Sequence, residues 1–342
     1  MIDFRYHLVS IVAVFLALAI GIVLGSTELQ GPAFSLLDKT TSKLQNELGQ
    51  VSSQRDTAQQ QATEGELYAE AVEPAVLRDL LTGRRLLIVT EPGAQSSVVS
   101  GITTAAIQAG ASVTGGINLQ PKFFDASGTA QDSLNQTTLD VAQTAGLQLD
   151  TSATYQQQAA QVIASEILTA PSGSAGSRPA GDQGTNAATM LQAYAASQFL
   201  STSGQPATPA TLAVVVTPQS APADGSADQL AQVLIPLVQE LAAKSAASVV
   251  VGSSAGSGAG SPISVLRSNS VASQVSTVDD ADLAAGQTVA MQALAVELGG
   301  GKAGSYGFTA NGASAIAPSP APTPPASPSA TPTSSATKKA ST

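Results

Sequence analysis

The sequence predicts an α/β fold with a mostly parallel sheet, and three short apolar runs support that prediction. LLIVT (residues 86–90), LAVVVT (212–217) and SVVVG (248–252) are continuous rather than alternating, which is typical of strands buried on both faces of a sheet. Stretches with helical spacing separate them, and strands that alternate with helices form the β-α-β units of a parallel sheet. We therefore expect a Rossmann-like α/β domain over residues 84–310.

The first 27 residues are a predicted membrane anchor. From Leu8 to Leu24 only Ser10 is polar, and a helix of that length is roughly 25 Å long, close to the thickness of a hydrocarbon core. A cleaved secretory signal is the alternative. However, the negative charge of Asp3 offsets the positive charge of Arg5, and no Ala-x-Ala cleavage site follows. The positive-inside tendency places the N-terminus in the cytoplasm and the bulk of the chain outside it.

One face of this segment carries only small residues. They recur every four positions, at Ala13, Ala17, Gly21 and Gly25. Small residues at this spacing let two helix backbones approach closely in lipid. The face is therefore a candidate surface for self-association, although small residues are common throughout this Ala-rich chain.

Residues 28–73 are predicted to form a coiled-coil stalk. An a/d heptad pattern extends over about four heptads, and we expect its seam at Leu37, Leu44, Leu48 and Val51. The other faces are rich in Gln, Ser and Glu, which favours a homo-oligomer. A helix that packs on its own globular domain remains the alternative. Gly31 and Pro32 are a candidate break between anchor and stalk.

The predicted domain contains a further strand, a loop and six helices, and a tail follows it. Residues 111–117 are a second predicted strand, and residues 171–186 form a loop by composition. Helical spacing predicts helices over 98–109, 130–146, 155–169, 187–202, 229–244 and 283–298. Residues 313–342 are Pro, Ala, Ser and Thr-rich and almost lack large apolar side chains, so they are predicted to be disordered.

Composition excludes several functional classes. The chain has no cysteine, so thiolate metal sites and cysteine nucleophiles are excluded, and its single histidine is His7, at the membrane edge. We therefore expect no enzyme, no catalytic residues and no bound cofactor. The net charge of −10, with only 14 Lys and Arg, argues against a nucleic-acid partner.

Two motifs in the domain have more than one interpretation. GSSAGSGAGSP (252–262) follows a strand, where a phosphate-binding loop lies in many α/β folds, but it lacks the G-x-G-x-x-G spacing, which favours a surface loop. VDDAD (278–282) groups Asp279, Asp280 and Asp282. Asp282 precedes a predicted helix and is interpreted as its N-cap, and cation binding by the three carboxylates is the alternative.

Several stretches together resemble a known family. Residues 1–25 contain FRYHLVS followed by VAVFLALAIGIVLG, and STVDDAD (276–282) precedes Gly286-Gln287, a helix ending near Gly300, and Tyr306-Gly307. These stretches resemble the actinobacterial MctB-type copper transporter family from residue 1 to about 308. His7 matches the family's opening motif.

The resemblance implies a cell-envelope protein with a membrane segment, a coiled-coil region and an α/β part. It implies a role in copper export or homeostasis, as an oligomeric channel component in an outer membrane, with copper ions as the transported species. A membrane-anchored oligomeric scaffold without transport activity is the alternative. The residues that would bind copper are unknown. Residues 84–310 supply only Met190 and Met291 as soft ligands, so we expect this part to bind Cu(I) weakly.

Overall fold

The computed structural model describes residues 4–169, 180–219, 227–256, 260–307 and 317–318. It divides into two compact units, Met1–Leu67 and Tyr68–Thr342, and each is described by itself. The boundary falls inside one long helix, α1 (Phe4–Leu77). The predicted disordered tail, residues 313–342, lies outside the described residues except for 317–318.

The described part of the first unit is a single helix. Its segment Arg5–Gly25 is long and apolar enough to cross a membrane, which confirms the predicted N-terminal apolar helix. The helix is continuous through Gly31 and Pro32, so the candidate break there does not form. In the second unit α1 ends at Leu77, and the Leu77 side chain is fully buried.

The second unit alternates strands with helices, as predicted. Its strands are β1 (Arg85–Thr90), β2 (Ser112–Leu119), β3 (Leu200–Gly204), β4 (Leu212–Val216), β5 (Ala247–Val251), β6 (Ser276–Val278) and β7 (Ser305–Tyr306). Its helices are α2 (Ser96–Gln108), α3 (Gly128–Ala145), α4 (Tyr155–Ile167), α5 (Ala180–Ala196), α6 (Ala227–Lys244), α7 (Pro262–Arg267) and α8 (Ala284–Leu298). Short 3₁₀ helices occupy Pro121–Phe124, Ser254–Gly256 and Ser270–Ser273.

Local sequence signals begin and end several of these helices. Thr154 and Gln157 form a reciprocal capping box at the start of α4, which satisfies two backbone N–H groups that have no partner inside the helix. Gly146 follows α3 with a φ of 67°, a left-handed conformation that glycine adopts without steric cost. These signals fix where α3 ends and where α4 begins.

The seven strands form one sheet in the order β3-β2-β1-β4-β5-β6-β7. All neighbouring pairs are parallel except β2 and β3, which are antiparallel. The sheet is therefore mostly parallel, as the continuous apolar runs predicted.

Both faces of the sheet are covered. Along β1, Leu86 and Ile88 belong to one apolar cluster with α2 and α8, whereas Leu87 and Val89 belong to another with α3 to α7. Successive side chains of a strand point to opposite faces, so the two clusters lie on opposite faces of the sheet. This double burial explains why β1, β4 and β5 are apolar at almost every position.

The structure corrects the sequence prediction at several elements of the second unit. The predicted loop 171–186 is helical from Ala180, where α5 begins, and residues 170–179 lie outside the described part. The predicted helix 187–202 ends at Ala196, and strand β3 begins at Leu200. The short strands β6 and β7 and the six-residue helix α7 were not predicted. These elements are two to six residues long, which is too short for a pattern of apolar residues to mark them in the sequence.

Candidate functional site at the carboxyl edge of the sheet

The C-terminal ends of the parallel strands β1, β4, β5 and β6 lie side by side and form the carboxyl edge of the sheet. The connection from β1 leads to β2 on one side, whereas β4 lies on the other side of β1, so the chain reverses its winding between β1 and β4. In open α/β sheets, the crevice at such a switch point is where ligands bind. Glu91 directly follows β1, and Thr217 directly follows β4.

Glu91 is a buried carboxyl group at this switch point. Its side chain is 3% exposed, and its backbone N–H donates a hydrogen bond to the Val216 carbonyl (3.0 Å). Within the described chain Oε1 has no hydrogen-bond partner. Burial raises the pKa of Glu91 to about 8, so the group is largely a neutral acid at pH 7. In the sequence Glu91-Pro92-Gly93 is typical of a turn, and the signal for a buried carboxyl group is an acidic residue placed immediately after a buried strand.

The acidic turn after β6 is the second polar feature of this edge. Asp279 is fully buried, and its Oδ2 receives a hydrogen bond from Arg267 Nη1 at 2.6 Å. Arg267 also donates to Thr277 Oγ1 (2.9 Å) and to the Tyr306 carbonyl (2.7 Å), so it ties α7 to β6 and β7. Such a buried, hydrogen-bonded pair is a structural connection among three elements.

Asp280 and Asp282 lie in different environments. Asp280 is 1% exposed, and burial, followed by the negative charge of Asp279, raises its pKa to about 6. Asp282 is exposed and accepts hydrogen bonds from the Ser254 N–H and hydroxyl, both at 2.8 Å. The N-cap of α8 is Leu283, without a side-chain bond, so the predicted capping role of Asp282 is wrong. Because β5 and β6 are neighbouring strands, Ser254 in the loop after β5 lies within hydrogen-bonding distance of the Asp282 carboxylate.

The described residues do not assemble a metal centre. They contain no group of three or more His, Cys, Asp or Glu side chains arranged to hold an ion. Met190 lies in the apolar cluster of α3 to α7 and Met291 in the cluster of α2 and α8, on opposite faces of the sheet. The two thioethers therefore do not meet, and this domain has no soft two-sulfur site for Cu(I).

The glycine-rich stretch at 252–262 is structured where it is described. Gly252 N–H donates to the Val278 carbonyl (2.8 Å), and Ser261 caps α7 through its hydroxyl. Residues 257–259 lie outside the described chain. The Gly252 amide is thus already bonded within the protein and is not free to hold a phosphate group.

The residues predicted for self-association lie along α1. Ala13, Ala17, Gly21 and Gly25 are exposed in the single chain, and a Cβ atom added at Gly21 or Gly25 would meet nothing within 4 Å. The seam residues are exposed as well, at 63% for Leu37, 53% for Leu44, 68% for Leu48 and 62% for Val51.

Comparison with known proteins identifies relatives along most of the chain. The family model described as "Copper transport outer membrane protein, MctB" matches residues 1–318. Proteins named Copper transporter MctB from Mycobacterium tuberculosis and Mycobacterium bovis are 27% identical over 321 residues, which covers 93% of this chain and 100% of theirs. The Mycobacterium leprae protein of the same name is 26% identical over 92% of this chain and 99% of its own.

Proposed function

The chain belongs to the MctB family, and we propose from this membership that it is a cell-envelope protein that acts in copper export or homeostasis. The observation that carries the proposal is the family match over residues 1–318. That match includes both the apolar helix and the whole described sheet domain. The proposal assigns no catalytic step to the domain.

The proposed arrangement in the envelope follows from charge and hydropathy. Arg5–Gly25 crosses a membrane and stays on the mature protein, with the N-terminus in the cytoplasm and the α/β domain on the opposite side. The family description names an outer membrane, whereas a cytoplasmic N-terminus belongs to a span of the cytoplasmic membrane. Separated membrane fractions show which membrane holds the protein, and N-terminal sequencing shows whether the segment is retained. A mature N-terminus near Ser26 would show that the segment is a cleaved signal.

The proposed mode of action is oligomeric. Copies associate through the stalk seam Leu37, Leu44, Leu48 and Val51, and through the small-residue face of the membrane helix. Support comes from their exposure in the single chain, because exposed leucines at heptad spacing are buried when a second helix packs on them. A channel component of this kind passes copper ions through an assembly rather than storing them in one chain.

The domain is proposed to hold Cu(I) weakly or not at all. Its described residues offer two methionines on opposite faces of the sheet, and the domain contains neither cysteine nor histidine. The test is a titration of the untagged full chain against a Cu(I) chelator of known strength. Failure to compete is the expected result, and stoichiometric competition would contradict it. Met190→Leu and Met291→Leu variants would then show whether sulfur is responsible.

A gene deletion tests the copper role directly. We expect the deletion strain to accumulate more copper and to stop growing at a lower copper concentration than its parent. The unmodified gene should restore both properties, and a Leu44→Asp variant should not. The matched control, Asn46→Asp, adds the same charge two residues away on the outer face of the stalk.

The second candidate is an anchored scaffold of the envelope without transport activity. The absence of a metal cluster among the described residues favours it, together with the exposed helix seam. Unchanged copper content and copper sensitivity in the deletion strain would contradict the copper role and leave the scaffold.

A further inference from the structure

Strand β3 is an open edge of the sheet. It pairs with β2 on one side, and no described strand pairs with it on the other. Two hydrogen bonds at the ends of the pair show which alternate residues of β3 bond to β2. Gln120 N–H donates to the Phe199 carbonyl (2.9 Å), and Gln205 N–H donates to the Thr114 carbonyl (2.8 Å). In an antiparallel pair alternate residues bond the partner strand. The N–H and C=O groups of Thr202 and Gly204 therefore point away from β2.

A groove runs beside this edge. Helix α5 forms one wall, and the loop after β3 forms another. A depression of about 590 Å³ lies between α5, Thr202 and Gly204 of β3, and residues 205–209 of that loop. A second depression, of about 470 Å³, shares Ala195 and is lined by Leu200, Ser201 and residues 120–122, which follow β2. An open edge strand beside such a groove is the geometry that accepts an extended peptide as an added strand. The small alanines leave room for small side chains.

The C-terminal sequence has the pattern that such an edge requires. From residue 318 to 324 proline alternates with another residue, so Ser319, Ala321 and Thr323 are the only ones with an N–H group. In a strand the N–H groups of alternate residues point to the same side. This segment would therefore have one complete bonding edge and one edge without donors, and proline is tolerated only in a strand whose N–H side faces solvent.

The segment is long enough to reach β3. Strand β7 lies at the opposite edge of the sheet from β3 and ends at Tyr306. Six strand spacings lie between these two edge strands, which gives a distance of about 29 Å. The residues from Gly307 to Ser319 span up to about 40 Å when extended. Pro318, the first residue of the alternating segment, is buried.

We propose that residues 319–323 dock in the groove as an eighth strand on the open edge of β3, in the same molecule. Ser319, Ala321 and Thr323 face β3, and the intervening prolines face outward. Because the outer side of this strand has few N–H donors, it ends the sheet and prevents the edge from pairing with another chain.

Hydrogen exchange of the full chain in detergent tests the proposal. Ala321→Pro removes the central N–H, so we expect the Thr202 and Gly204 amides to exchange at least about tenfold faster, as a lost hydrogen bond of roughly 1.4 kcal/mol predicts. Pro322→Ala is the matched control, because it changes a residue that faces outward, and exchange should match the unmodified chain. Equal exchange in Ala321→Pro and the unmodified chain would overturn the proposal.

The same measurement identifies the molecule that supplies the strand. Protection of Thr202 and Gly204 should not change when the protein is diluted tenfold, because the segment belongs to the same chain. Protection that decreases on dilution would mean that a second copy covers the edge, either with its tail or with its own β3, and would overturn docking within one molecule.

Discussion

The two units of this protein place their apolar side chains in opposite environments. In the sheet, Val214 and Val250 are fully buried by the helices of their own unit, whereas on α1 Leu44 is 53% exposed and Leu48 is 68% exposed. The apolar residues from Leu8 to Leu24 are exposed as well. Burial of apolar area drives folding and association alike. The domain therefore has its core within one chain, whereas these apolar side chains of α1 are left exposed in the single chain.

The largest expected effect comes from a charge in the sheet. Val215 lies in the central strand β4 and is 1% exposed, so Val215→Asp buries a carboxylate among valines. The cost of several kcal/mol is comparable to the whole stability of a domain, about 5–15 kcal/mol. We expect the domain to lose its resistance to protease. A resistant Val215→Asp domain would contradict the described core.

The second effect is the loss of one partner from a buried ion pair. Asp279→Ala leaves the Arg267 charge buried, at a cost of about 3–5 kcal/mol, and should lower the melting temperature by about 10 °C. Asp282→Ala, at the exposed position of the same turn, should have a much smaller effect. The double variant Arg267→Met with Asp279→Leu should recover most of the loss, and a double variant as unstable as Asp279→Ala would contradict this.

The third effect is a pH dependence from Glu91. The pKa of Glu91 is about 8 in the folded protein against an ordinary value of 4.5, so the unfolded chain loses this proton first as the pH rises. The group's contribution to stability is complete below pH 4.5 and is lost up to about pH 8, by a few kcal/mol. Glu91→Gln should therefore melt with a weaker dependence on pH between 5 and 8. If the melting temperatures of the two proteins changed equally with pH, that result would contradict the burial of an ionisable group at this position.

The smallest effect belongs to the stalk. Leu44→Asp removes a leucine burial of about 2 kcal/mol per chain from the proposed seam, roughly a 30-fold loss in association for each chain. Chemical crosslinking should show fewer oligomers, while the melting temperature of the sheet domain stays the same. Asn46→Asp should leave the crosslinking pattern unchanged. A monomer in both the unmodified protein and Leu44→Asp would show that the helix does not use this seam.

The success of the sequence prediction follows the depth of burial. Strands β1, β4 and β5 were located to within one residue, because a strand buried on both faces needs apolar residues at nearly every position. Strand β3, with the sequence LSTSG, lies at the edge and carries exposed side chains, so no apolar pattern marked it. The candidate site followed the same rule: the acidic turn was visible as a cluster of charges, whereas no pattern in the sequence distinguished Glu91.

The sequence by itself determined the apolar N-terminal helix, the α/β class and the family. Each of these follows from the order of residue types along the chain and does not require knowledge of contacts between distant segments. Only the tertiary structure decided which polar groups are buried and which meet. It paired Arg267 with Asp279, turned Asp282 toward Ser254 instead of α8, and placed Met190 and Met291 on opposite faces of the sheet. The physical reason is that desolvation and pairing depend on neighbours from distant parts of the chain, and strand order brings those neighbours together.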